Sequence, residues 1–249
     1  MHLPAINKTG LLLLIFVCVV VLFVLVEVLI VKYNGSPVAV PDIPRAPQQI
    51  GEGPAIRYAV IGDSTAVGQG GVYDEGIAMA TARHLAQQGS VTMHNFAISG
   101  ARMHDVRTKQ LPQALKSRPD VVLISAGAND VTHLTAVDSI SSDMRQIIAE
   151  LRTANPDIRI VITGSPAMGS VPRFPQPIKY FAGVRTKQVN AELRAVAIEK
   201  QVIFAPIAEK TGPIFLENPQ LFAKDKFHPT TEGYKTWIPV LNDALDATK

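Results

Sequence analysis

Positions 11 to 31 hold 20 apolar residues out of 21, LLLLIFVCVVVLFVLVEVLIV, with Glu27 the one exception. A segment apolar on every face has no solvent side, so it cannot be an ordinary surface helix. As a helix, 21 residues reach roughly 32 Å, enough to cross a hydrocarbon core of about 30 Å. The run exceeds the roughly 7 to 15 apolar residues of a cleaved signal peptide, and no Ala-x-Ala follows it. Bulky Phe16 and Val17 precede Cys18, which excludes a lipid-attachment cysteine there. The expectation is an uncleaved single-pass anchor at 11–31 behind a short tail, residues 1–10. Glu27 sits close enough to one end to reach the interface. Lys8 and the α-amine flank one side and Lys32 and Arg45 the other, so loop charge does not orient the segment. A short tail before a large domain suggests export, which puts the domain outside the cytoplasm.

Residues 32–54 carry Pro37, Pro41, Pro44, Pro47 and Pro54 with Gly35, Gly51 and Gly53. Prolines at that density oppose helix and sheet, so this stretch reads as a semi-extended tether. The folded domain should then span 55–249. Without the apolar block the hydrophobic share falls from 47% to about 43%, ordinary for a soluble domain. One cysteine excludes an intrachain disulfide framework and a Cys-based zinc site. A net charge of +3 with no basic run offers no footing for nucleic acid.

Within the domain, short apolar runs alternate with helical stripes. Strands are expected at Tyr58–Ile61, Val91–Ile98, Val121–Ala126, Ile158–Thr163 and Val202–Ala205. Helices are expected at Ile77–Gln88 (with Gly89 as C-cap), Asp105–Leu115, Asp138–Arg152, Lys179–Lys200 and Thr230–Ala247, the last opened by Pro229. Such alternation makes βαβ units and hence a parallel α/β sheet with helices on both faces. Ligands of such sheets bind beyond the carboxyl ends of the strands.

The strand ends carry chemistry. Gly62-Asp63-Ser64 follows the first strand, Ser99-Gly100 the second, and Gly127-Ala128-Asn129-Asp130 the third. Asp225-Lys226-Phe227-His228 precedes the last helix. A serine hydroxyl needs a neighbouring base to attack an ester, and imidazole serves near neutral pH. That imidazole needs a carboxylate on its other nitrogen to fix its tautomer. Ser64, His228 and Asp225 fill these roles. The oxyanion needs donors placed in advance, for which the Ser64 N–H, the Gly100 N–H and the Asn129 side-chain amide are candidates. Ser64 as a plain helix N-cap is the bland alternative.

These four blocks, in this order, resemble the SGNH/GDSL hydrolases, from about Tyr58 to the C-terminus. The resemblance implies a flavodoxin-like sheet of five parallel strands and a Ser-His-Asp esterase that needs no cofactor and no metal. It places the nucleophile on Ser64, the oxyanion donors on Gly100 and Asn129, and the Asp-His pair on Asp225 and His228. Thr65 stands where the family's name-giving motif has leucine, a departure that bears on substrate preference.

The remaining polar residues read more blandly. Asp63 organises the turn, and Asp130 caps the next helix. His84, His94, His104 and His133 lack metal-ligand spacing. Gly68, Gly70, Gly71 and Gly76 fit no phosphate-loop pattern and read as a flexible rim beside Ser64. The proline-rich stretch 164–180 follows the fourth strand, either as a wall over the site or as an inert loop. The expected activity is hydrolysis of a small-molecule, lipid or glycan ester through an acyl-enzyme on Ser64. The alternatives are O-acyl transfer or deacetylation on a cell-envelope glycan, or an idle binding domain.

Overall fold

The computed structural model describes residues 7–247. Residues 1–6 of the expected tail and the last two residues of the chain lie outside the described residues. The N-terminal helix, Lys8–Tyr33, contains the whole apolar run and starts at Asn7, whose side chain accepts the Gly10 N–H at 2.8 Å. It is long and apolar enough to cross a membrane. Glu27 is its one buried residue, 7% exposed, so its side chain is enclosed rather than reaching out to an interface.

One sheet contains β1 (Gln48–Ile50), β2 (Ala55–Gly62), β3 (Ser90–Asn95), β4 (Val121–Ser125), β5 (Arg159–Ile162) and β6 (Ile203–Phe204). The strand order is β1-β3-β2-β4-β5-β6, with β2 to β6 mutually parallel. Leaving out β1, that is the flavodoxin-like order 2-1-3-4-5. The order reverses between β2 and β4, and a crevice opens at that switch point.

Strand alternation divides the core in two. Ala59, Ile61, Val122, Ile124, Ile160 and Ile162 face one layer, with Met144, Ile147 and Leu151 of the helix Val137–Ala154 and Val189 and Leu193 of the helix Ile178–Glu199. Tyr58, Val60, Val121, Leu123 and Val161 face the other, against Ile77 and Leu85 of the helix Ile77–Leu85, Phe215 of the helix Ile207–Glu217 and Leu241 of the helix Ile238–Asp246. Strands covered on both sides read as unbroken apolar runs, which is why β2 and β4 are visible in the sequence.

Four local readings change. The stretch 32–54 is not free of sheet: β1 pairs antiparallel with β3, Gln48 opposite Met93. Gln48 to Ile50 is the proline-free part between Pro47 and the glycine turn, so its backbone can join an edge. Nor does this stretch hang loose, since Ile43 packs on the second core layer. The expected last helix breaks into Thr231–Lys235 and Ile238–Asp246. Pro239 has no N–H to offer the preceding turn, and Thr230 rather than Pro229 caps the start, accepting the Gly233 N–H. The helix over Asp105–Leu115 is widened by one π turn at Val106–Gln110. Finally, Ile77–Leu85 ends at Ala86, short of Gly89.

Candidate active site

The carboxyl ends of β2, β3 and β4 and the loop before Thr231–Lys235 converge at the switch point. Asp63 accepts the Thr65 N–H at 2.9 Å and so opens the short helix Ser64–Val67, which lifts Ser64 off the end of β2. Gln110, buried beneath, accepts the Gly62 N–H at 2.7 Å and donates to the Gly62 carbonyl at 2.8 Å. That double bond pins the strand end just before Ser64. Gln110 is the last residue of the π turn. Sequence reading missed Gln110; its only signal is a glutamine inside an apolar helical stripe.

Asp225 and His228 share one closed loop. Ala223 N–H donates to the His228 carbonyl at 2.8 Å, Thr230 N–H to Leu221 O at 2.7 Å, and Lys226 N–H to Ala223 O at 2.8 Å. Asp225 Oδ1 accepts the Phe227 and His228 backbone N–H groups, both at 3.0 Å. Its Oδ2 lies 2.6 Å from His228 Nδ1, and His228 Nε2 lies 3.0 Å from Ser64 Oγ. Burial pushes the Asp225 carboxyl up, but the imidazole and the two N–H groups outweigh it and hold it below the ordinary value. Asp225 therefore stays ionised at neutral pH. Gly70 packs so closely on this loop that a Cβ there would lie 2.5 Å from the Pro229 carbonyl and 2.9 Å from His228 Cβ. The expected flexible rim is a tight seat for the histidine.

Gly100, at φ +82°, borders open space, with no described atom within 4 Å of where its Cβ would be. Asn129 opens toward the same crevice and donates one amide hydrogen to Ala101 O at 3.1 Å, which leaves the other for a ligand. Ser64, Gly100, Asn129 and His228 line one groove of 470 Å³, together with Arg173 and Phe174. On the other side, a cavity of only 30 Å³ runs inward from Ser64 and His228, walled by Met168, Val171, Phe215 and Trp237. The stretch 164–180 thus borders both spaces, Met168 on one and Arg173 on the other. The structure brings together all five residues expected from the sequence.

The reading of Asp130 needs correction, and that of Thr65 gains detail. Asp130 does not cap the helix that follows it. It sits inside the helix Ala128–Thr132 and accepts the Met103 N–H at 3.0 Å, capping a different helix from across the fold. Thr65, in place of the family's leucine, is buried with its hydroxyl donating to Asp63 at 2.8 Å and lying 2.9 Å from Ser125 Oγ. A hydroxyl is tolerated there because its partners are built in. Among the described residues the histidines set aside above do not gather into a metal site: His84 meets Asp246, His104 meets Asp143, His94 stacks on Phe96, and His133 contacts the Asn129 carbonyl beside the groove.

Asp63 is fully buried, and burial pushes its carboxyl up to about 6, against the lowering effect of its bonds to Thr65. The unfolded carboxyl ionises near the ordinary 3.8, so between there and 6 the folded state holds the extra proton and loses stability as pH rises. The amide of an Asp63→Asn variant has no such proton to lose. The melting-temperature difference, Asp63→Asn minus wild type, should therefore widen from pH 4 to pH 7, corresponding to on the order of 2 kcal/mol. A difference that stays flat across that range would mean the carboxylate is solvated.

A doubly wound α/β sheet with serine, imidazole and carboxylate in line at its switch point has the form of a hydrolase scaffold. The match to known proteins makes this specific: the chain belongs to the GDSL-like lipase/acylhydrolase family, whose model matches residues 60–236. A GDSL-like esterase of Mycobacterium tuberculosis is 27% identical over 196 residues, 76% of this chain and 62% of the relative. The chain thus spans under two thirds of that relative's length. Among solved structures, TesA superposes with a TM-score of 0.63 at 18% identity, covering 78% of this chain and 99% of TesA. The lipase/acylhydrolase of Enterococcus faecalis gives 0.61 at 18% identity, covering 77% and 96%. At those identities the likeness concerns the fold.

Proposed function

We propose that the protein is a serine esterase that cleaves a carboxylic ester through an acyl-enzyme on Ser64. The observation that carries this is the unbroken line Ser64 Oγ–His228 Nε2 at 3.0 Å and His228 Nδ1–Asp225 Oδ2 at 2.6 Å. His228 removes the hydroxyl proton as Ser64 attacks the carbonyl carbon. The Ser64 and Gly100 N–H groups and the free Asn129 amide hydrogen receive the oxyanion. His228 then returns the proton to the departing alcohol, and a water, activated by the same imidazole, releases the acid. Asp225 keeps Nδ1 protonated, which leaves Nε2 free to take the proton, and it stabilises the imidazolium that forms.

The two spaces beside Ser64 suggest which ester. The inner cavity of 30 Å³ exceeds what one water needs, about 10–15 Å³, by only a factor of two to three. It suits an acetyl or propionyl group, and the wide groove suits the alcohol portion. Met168→Ala should shift the best acyl group of a chain-length series upward by about one or two methylenes, at a stability cost of about 2–5 kcal/mol. An unmoved optimum would place the acyl group elsewhere. Labelling by a fluorophosphonate probe tests the reading itself, since an idle domain would not react. Competing acceptor alcohols against water separate hydrolysis from acyl transfer.

We read the N-terminal helix as a retained anchor and place the catalytic domain outside the cytoplasm. Residues immediately after the helix bond to the domain, which supports a chain that keeps them. Protease added to intact cells should remove the domain; protection until lysis would reverse the topology.

A further inference from the structure

The helix does not simply hold the domain on a leash; its end is built into the active-site mouth. The Ser36 N–H donates to Lys224 O at 2.9 Å. Asn34 donates to the Pro172 and Arg173 carbonyls, both at 3.2 Å, and accepts from Lys226 Nζ at 2.7 Å. Arg173 Nε donates to the Val31 carbonyl at 2.8 Å. Gly35, at φ +130°, lies so close to the backbone of Asp225 that a Cβ would collide with its carbonyl oxygen. The segment is therefore clasped between the loop that carries His228 and the loop at Pro172 and Arg173 beside it.

This clasp fixes a depth. Val28, Val31 and Lys32 line the same groove as Ser64, Gly100, Asn129 and His228. The apolar run ends between Val31 and Lys32, and Val28 lies about 5 Å along the helix axis from that boundary. The groove thus opens where the hydrocarbon region of a bilayer meets its headgroups. Lys32 and Arg173 on its wall suit a headgroup layer, and the apolar face of Val28 and Val31 suits a chain.

Building on the esterase reading above, we infer that the substrate is a membrane-resident amphiphilic ester. Its short acyl group enters the inner cavity, and its apolar alcohol portion stays in the bilayer alongside the helix. Because Val28, Val31 and Lys32 line the same groove as Ser64, the substrate reaches Ser64 along the helix without crossing water.

The test uses the full chain in phosphatidylcholine vesicles with two acetyl esters. Hexadecyl acetate is embedded in the vesicles, and 4-methylumbelliferyl acetate is supplied in the water. Both give the same acetyl-enzyme, and taking each ester's rate relative to wild type cancels the difference between the two leaving groups, so the ratio reads access of the alcohol. The key variant carries about ten Gly and Ser residues inserted between Tyr33 and Asn34, adding roughly 15–20 Å of reach between helix and domain. The embedded ester should lose about tenfold or more as its local concentration at the groove falls, and the soluble ester should stay within about twofold of wild type. Equal effects on both esters would overturn the inference. So would a wild-type protein that turns over the soluble ester and ignores the embedded one, although the Ser64 esterase would then stand. No turnover of either ester together with no fluorophosphonate labelling would remove the esterase itself. If the insertion cost soluble turnover, Asn34→Ala, which removes three side-chain bonds of the clasp, reads the same ratio.

Discussion

Replacing Ser64 with alanine is expected to leave a folded protein that hydrolyses no ester above background. Ser64 is nearly buried, and among the described residues its side chain makes one polar contact, with His228. Losing that bond costs about 1 kcal/mol of stability, while losing the attacking oxygen removes the acyl-enzyme route altogether. The loss in kcat should be about 10⁴-fold or more, because only the oxyanion donors and binding remain. His228→Ala should lose a similar amount, and the double variant should be no slower than either single one. Proton removal and attack form one step, so the second deletion has nothing left to remove. Steady-state kinetics on purified variants, with circular dichroism as the fold check, read this directly. Full activity in Ser64→Ala, or effects that multiply, would mean that the two side chains serve separate functions.

Asn129→Ala should act on kcat and hardly on KM. One amide hydrogen is already engaged by Ala101 O, and the other faces the groove. A hydrogen bond to the substrate oxygen strengthens only as negative charge develops, so its loss appears in the transition state. The expected reduction is about 10²- to 10³-fold in kcat, or roughly 3–4 kcal/mol. Asn129→Asp should be at least as damaging, since it sets a carboxylate against the forming oxyanion. If Asn129 were only a turn residue, the alanine variant would melt early and turn over normally. Measuring kcat, KM and the melting temperature together separates the two roles.

The elements that the sequence reveals are those whose environment is uniform along their length. β4 is buried at every position, so Val121-Val-Leu-Ile-Ser125 announces itself. The helix Val137–Ala154 carries its stripe at Ile140, Met144, Ile147, Ile148 and Leu151. The elements missed are those made by partners distant in sequence. β1 is three residues long, with no pattern of its own, and exists because β3 offers a free edge. The helix Ile207–Glu217 escapes sequence reading because Pro213 inside it reads as a breaker. In the site, Ser64, Gly100, Asn129, Asp225 and His228 are legible because each follows a strand or precedes a helix in a block of recognisable type. Gln110 is not, because its bond to Gly62 spans 48 positions of sequence. The clasp of Asn34 to Ser36 is equally hidden. Proline density correctly argues against helix there, but an extended chain can still lie along a surface.

The loop from Leu221 to Thr230 carries both the acid and the base and is closed by its own backbone bonds. Heat therefore has a shortcut to inactivation. A local melting of this one loop dismounts Asp225 and His228 together and lifts Phe222 and Phe227 off the core layers they pack against, while the strands themselves stay paired. Activity should fade reversibly below the temperature at which the sheet unfolds, and the tether bonds to Lys224 and Lys226 should delay that fading. The short segment that follows the N-terminal helix then doubles as a thermal brace for the catalytic loop.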